Sequence, residues 1–117
     1  MISDKIILGL DPGTNLMGYG VIKSSNNKLS LVQYGVIKMN KEKIHYKKLK
    51  IIFQNINELI KEFNPNEISI ESPFFGKNVQ SMLKLGRAQG VAMVAGAINN
   101  INITEYAPKT VSYTHLR

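Results

Sequence analysis

The chain has no cysteine. That excludes disulfide staples, thiolate zinc sites and a cysteine nucleophile, and it fits a reducing compartment. Long apolar runs are also missing. None approaches the roughly 18 residues of a membrane span, and "MISDKIILGL" has a charge pair ahead of an apolar stretch too short for a signal peptide. The expectation is a soluble intracellular protein with no membrane partner. Acidic side chains are few, 8 against 15 basic, for a formal charge of +7. A surplus of that sign suits a polyanionic partner, nucleic acid before anionic membrane; a solvated lysine-rich surface gives the same count. With 44% hydrophobic residues in 117, the chain can fill the core of one small domain.

"KIILGL" (5–10), ended by Asp-Pro-Gly, suits a strand buried on both faces. "YGVIKS" (19–24) and "KLSLVQYGVIKM" (28–39), joined across "SNN", read as a hairpin, so the first three runs form an antiparallel meander. Leu49, Ile52, Phe53, Ile56, Leu59, Ile60 and Phe63 fall at three- and four-residue spacings, which predicts a helix stopped by Pro65. "EISIE" (67–71) is a fourth strand, residues 78–100 a second helix and "INITEY" (101–106) a fifth strand. In the second helix Gly86, Gly90, Met93 and Ala97 share a face of small residues, which predicts close packing on a helix, the sheet or a second copy. The order β-β-β-α-β-α-β gives a mixed α/β sheet flanked by helices, with the first, fourth and fifth strands parallel. The functional crevice of such a sheet lies at the carboxyl ends of its strands.

Asp11 follows the first strand and Glu71 ends the fourth. Alone, Asp11 is equally a turn aspartate and Glu71 a solvated strand end. Neighbouring strands would make the two carboxylates converge, and their repulsion is relieved by a cation between them. An oxygen-only donor set suits Mg²⁺ or Mn²⁺, the metals of phosphoryl transfer. "SPFFGKN" (72–78) puts two phenylalanines beside a lysine at the same sheet end, a composition that stacks unpaired bases. Phe74 is expected outward and Phe75 inward. Lys38, Lys41, Lys43, Lys47, Lys48 and Lys50 read as a phosphate-tracking face or as a solvated helix start, with His45 part of that surface. No nucleophile–base arrangement stands out.

"ILGLDPGTNLMGYGVI", "ISIESPFFGKNVQSMLKLGRAQGVAM" and "EYAPKTV", in that order, resemble the RuvC-type Holliday junction resolvases over residues 5 to about 111. The first motif is shared with actin-like and sugar-kinase ATPases, an alternative for which the chain has no room for a second phosphate loop. The second motif is far more specific. The resemblance implies a ribonuclease H-like fold and a bacterial, cytoplasmic homodimer formed through the second helix. It also implies Mg²⁺-dependent symmetric nicking of four-way DNA junctions in recombination and repair, with the RuvA–RuvB complex as partner. Asp11 and Glu71 match two of the family's metal-binding acids and Phe74 its base-stacking aromatic. Lys77, Asn78 and Lys84 are candidate DNA contacts.

The family continues past "EYAPKTV" with a basic segment and a last helix carrying two further active-site positions. The expected division is a partial nuclease domain at 1–111 and a foreign tail, "SYTHLR", at 112–117, with the last helix missing. Such a fragment should be inactive or weak as an enzyme, and a non-catalytic junction-binding role is then the alternative.

Overall fold

The structure, a computed structural model, describes residues 4–72 and 78–106. Its elements are β1 (Lys5–Asp11), β2 (Leu16–Ser25), β3 (Lys28–Lys38), α1 (His45–Phe63), β4 (Glu67–Glu71), α2 (Val79–Ile98) and β5 (Asn102–Tyr106). They form one five-stranded sheet in the order β3-β2-β1-β4-β5. The first two pairings are antiparallel and the β1–β4 and β4–β5 pairings are parallel, as the order of elements predicts.

Local chemistry explains the joints. Asn26 and Asn27 both take left-handed φ, 52° and 65°, the conformation a tight two-residue hairpin demands and asparagine tolerates. Asn64, at φ 46°, closes α1 with its N–H bonded to the Ile60 carbonyl, and Pro65 prevents further helix. Asn66 then clips β4 to β1, its Oδ1 accepting from the Ile6 N–H at 2.7 Å.

The core lies on one face of the sheet. Leu8 and Leu10, Met17 and Val21, and Ile68 and Ile70 meet Ile52, Ile56, Leu59 and Ile60 of α1 and Ala88, Ala92 and Ala95 of α2. Two expectations change here. β1 is buried on one face only, and its other face, at Ile7 and Gly9, is half-covered. The small face of α2 that meets the sheet is Ala88, Ala92, Ala95 and Gly96, not Gly86 and Gly90. A side chain at Gly96 would come within 2.8 Å of Ile103 and 2.9 Å of Ile68, whereas none of the described residues lies within 4 Å of where one would stand at Gly86 or Gly90.

Candidate active site

Side chains alternate along a strand. Leu8 and Leu10 point into the core, so Asp11 points to the open face; Ile68 and Ile70 do the same for Glu71. The parallel register pairs Leu10 with Ile70, which brings Asp11 and Glu71 side by side at the carboxyl ends of adjacent strands, about 4.8 Å apart as backbones. Asp11 also pairs with Gly18 across the antiparallel ladder. Gly9, Gly18, Gly20 and Ser69 put almost no side chain around the pair, and the result is an open depression of about 370 Å³ lined by both carboxylates. The turn after Asp11 is tight: a Cβ on Gly13 would fall 1.9 Å from the Leu16 carbonyl oxygen. That turn is tied down by the Met39 N–H donating to the Asn15 carbonyl at 2.8 Å.

Glu71 is held above the ordinary carboxylate value by burial first, then by the charge of Asp11 and a hydrogen bond with it. A divalent cation between the two carboxyl groups would relieve their repulsion. Among the described residues no third acid or histidine joins them. Two carboxylates nevertheless fit Mg²⁺, which keeps waters and substrate phosphate oxygens as its other ligands.

Beneath the pair, on the helix side, the Glu105 carboxylate accepts from Ser72 Oγ and from Gln89 Nε2, both at 2.6 Å. These bonds hold the Glu105 carboxyl below its usual range and anchor the residue after Glu71 to α2 and β5. Sequence reasoning missed this network, since nothing in the spacing of residues 72, 89 and 105 signals it.

Of the other expected contacts, Phe74, Phe75 and Lys77 lie outside the described residues. Asn78 caps α2, its Oδ1 accepting from the Ser81 N–H at 3.1 Å. Lys84 does not line the carboxylate depression. It lines a second cavity, of about 150 Å³, with Thr14, Asn15, Lys43, His45, Lys48 and Ser81. His45 sits half-buried among these lysines, and its Nε2 is buried with no hydrogen-bond partner among the described residues. An open apolar groove between α1 and α2, about 630 Å³, is lined among others by Tyr46, Phe53, Gly90 and Val94. No helix among the described residues is long and apolar enough to cross a membrane.

A family model described as "Crossover junction endodeoxyribonuclease RuvC" matches residues 7–115, which takes in Val111 and the four residues after it. A curated relative of that description from Christiangramia forsetii is 59% identical over 109 residues, covering 93% of this chain and 57% of the relative. The one from Cytophaga hutchinsonii is 56% identical over 108 residues, 92% of this chain and 54% of the relative. The chain thus spans little more than half the length of these relatives. Among solved structures, "T. thermophilus RuvC in complex with Holliday junction substrate" superposes with a TM-score of 0.82 at 24% identity, covering 93% of this chain and 68% of that one. The shared fold is the ribonuclease H-like mixed sheet flanked by helices.

Proposed function

Because the chain belongs to the RuvC family of crossover junction endodeoxyribonucleases, we propose that it carries half the metal site of a nuclease that nicks four-way DNA junctions symmetrically. The observation that carries this reading is the convergence of Asp11 and Glu71 in an open depression with glycines at positions 9, 18 and 20, where burial and then the Asp11 charge raise the Glu71 carboxyl above its usual value. Such a pair is built to receive a cation and a phosphodiester together.

Asp11 and Glu71 would hold Mg²⁺, or Mn²⁺ in its place, and the ion would supply Lewis acidity for phosphodiester hydrolysis to 5′-phosphate and 3′-hydroxyl ends. Gly18 and Gly20 leave room for a DNA backbone to reach the carboxylates, and the tight turn at Gly13 fixes where Asp11 stands. The Ser72–Glu105–Gln89 bonds keep the end of β4, and so Glu71, in register with β1. Phe74 stacks on an unpaired base, and Lys77, Asn78 and Lys84 contact DNA; the Asn78 oxygen also caps α2, and its amide nitrogen can donate to a phosphate.

A second copy docks on the groove between α1 and α2, where Gly86 and Gly90 stand uncovered and Val94 is exposed. A bacterial cytoplasm and a RuvA–RuvB motor as partner follow from the family and from no residue here. The relatives' remaining length supplies the further active-site positions. The 117-residue chain therefore binds junctions and cleaves them weakly, and a purely binding role for this form is favoured by its having only two carboxylates together among the described residues.

Two chains would test this: the 117 residues, and residues 1–111 continued with the unmatched part of the Christiangramia forsetii relative. The longer chain should nick a four-way junction symmetrically with Mg²⁺ and the shorter one at most weakly. Asp11→Asn in the longer chain should abolish nicking, a loss of at least about 10³-fold, while junction binding holds or tightens. Nicking at an undiminished rate in that variant would end the proposal.

A further inference from the structure

We infer that the cavity formed by Thr14, Lys43, His45, Lys48, Ser81 and Lys84 seats a second phosphate of the DNA backbone, away from the carboxylate pair. The inference rests on the reading of the chain as a junction nuclease and adds to it a site that positions the strand without cutting it. The cavity is small, about 150 Å³, and its lining is basic and hydroxylic with no carboxylate. Glu42, the acid nearest in sequence, is turned to the start of α1, where its Oε2 accepts from the Ile44 N–H at 3.2 Å. His45 lines the cavity, and its Nε2 is buried with no hydrogen-bond partner among the described residues, which is costly for a polar atom. The Lys48 ammonium is held at the cavity by Asn15 Oδ1 at 2.7 Å.

Both helices begin here, and neither has an acidic residue in its first turn. Negative charge is normally favoured at helix starts. At α1 the Ile44 cap makes no side-chain hydrogen bond, although the Ile44 N–H is taken by Glu42 and the Lys47 and Lys48 N–H groups by the Ile44 carbonyl. The charges of Arg87, Lys84 and Lys48 add to burial in holding the His45 imidazole below its ordinary value, a sign of the positive field that an anion would meet. Thr14 lies three residues from Asp11, at most about 11 Å along the chain. Phosphates of one strand follow every 3.4 Å or so of helix axis. A phosphate seated at Thr14 is therefore close in sequence to the one at the carboxylates, and the two seats together fix the strand's direction across the site.

The test uses the 117-residue chain, a short four-way junction and inorganic phosphate. On adding junction, the His45 imidazole resonances should shift and saturate along with binding. Lys43→Gln combined with Lys84→Gln should lower the slope of log affinity against log salt by about 1.8, two phosphate contacts' worth, and should abolish the His45 shift. The control pair Lys28→Gln and Lys61→Gln should leave that shift in place and change the slope much less. Amide spectra confirm that each variant is folded. His45 resonances that stay still on junction binding would overturn the inference, as would equal slopes for the two pairs. So would saturation by inorganic phosphate with no response to junction, which marks a small-anion site. The nuclease reading fails separately: if the longer chain never nicks while the His45 response to junction persists, the phosphate seat stands and the catalytic assignment falls.

Discussion

The carboxyl of Glu71 is raised above its ordinary value of 4.5 by burial, the Asp11 charge and the hydrogen bond between them. The folded chain therefore holds that proton more tightly than the unfolded chain does. Its contribution to stability is fully present below pH 4.5 and is lost as pH rises through the higher folded value. Glu105 works in the opposite sense: its carboxyl is lowered by Ser72 and Gln89, so its contribution is lost as pH falls. The two effects separate in a difference measurement. In chelator, Glu71→Gln should melt progressively higher than the parent as pH climbs above 4.5, because it keeps a hydrogen bond and drops a charge. Mg²⁺ at pH 7 should narrow or reverse the gap by stabilising only the parent. A difference that ignores both pH and Mg²⁺ would mean that the two carboxyls do not share a cation. Asp11 and Glu71 were legible in the sequence because each ends an apolar strand. The burial of His45 Nε2 was not, since it depends on tertiary packing around the start of α1 that no local pattern reports.

At the scale of elements, strand order and direction could be read from the chain because hairpin asparagines and helical crossovers leave few alternatives. The packing of α2 could not. Small residues recur at 86, 88, 90, 92, 95, 96 and 97, on both sides of the helix, and spacing alone does not say which side meets the sheet. The sheet takes the alanines and Gly96, and among the described residues Gly86 and Gly90 are left over with open space above them. Each glycine costs a helix interior about 1 kcal/mol relative to alanine, a cost with no return among the described residues. A second copy approaching that face would explain it. Gly86→Ala with Gly90→Ala should stabilise the dilute monomer by about 2 kcal/mol and weaken self-association by at least tenfold in sedimentation equilibrium. Stabilisation with unchanged association would place the second copy elsewhere.

The whole molecule has two unlike faces. One is sealed by both helices; the other carries the carboxylates at one end and, beyond them, an apolar surface that none of the described residues covers. Register puts Leu29, Leu31, Tyr34 and Val36 of β3 on that open face, and Leu29, Leu31 and Tyr34 are 72%, 59% and 75% exposed. β3 is also an edge strand, which makes the surface a site for association. A layer of further structure on this face would bring its side chains next to Asp11 and Glu71, so covering the face and completing the metal site are one structural event. Two consequences follow for the 117-residue chain. It should bind a hydrophobic dye such as ANS while still folded, and Leu31→Lys with Tyr34→Lys should remove most of that signal with a stability change within about 0.5 kcal/mol, as for other exposed positions. In the chain extended with the relative's remaining length, dye binding should fall without any substitution, and the lysine pair should now destabilise by about 2 kcal/mol or more because it buries charge. Equal dye binding by the two chains would show that the added length leaves this face bare, and the proposed completion of the metal site from that side would fall with it.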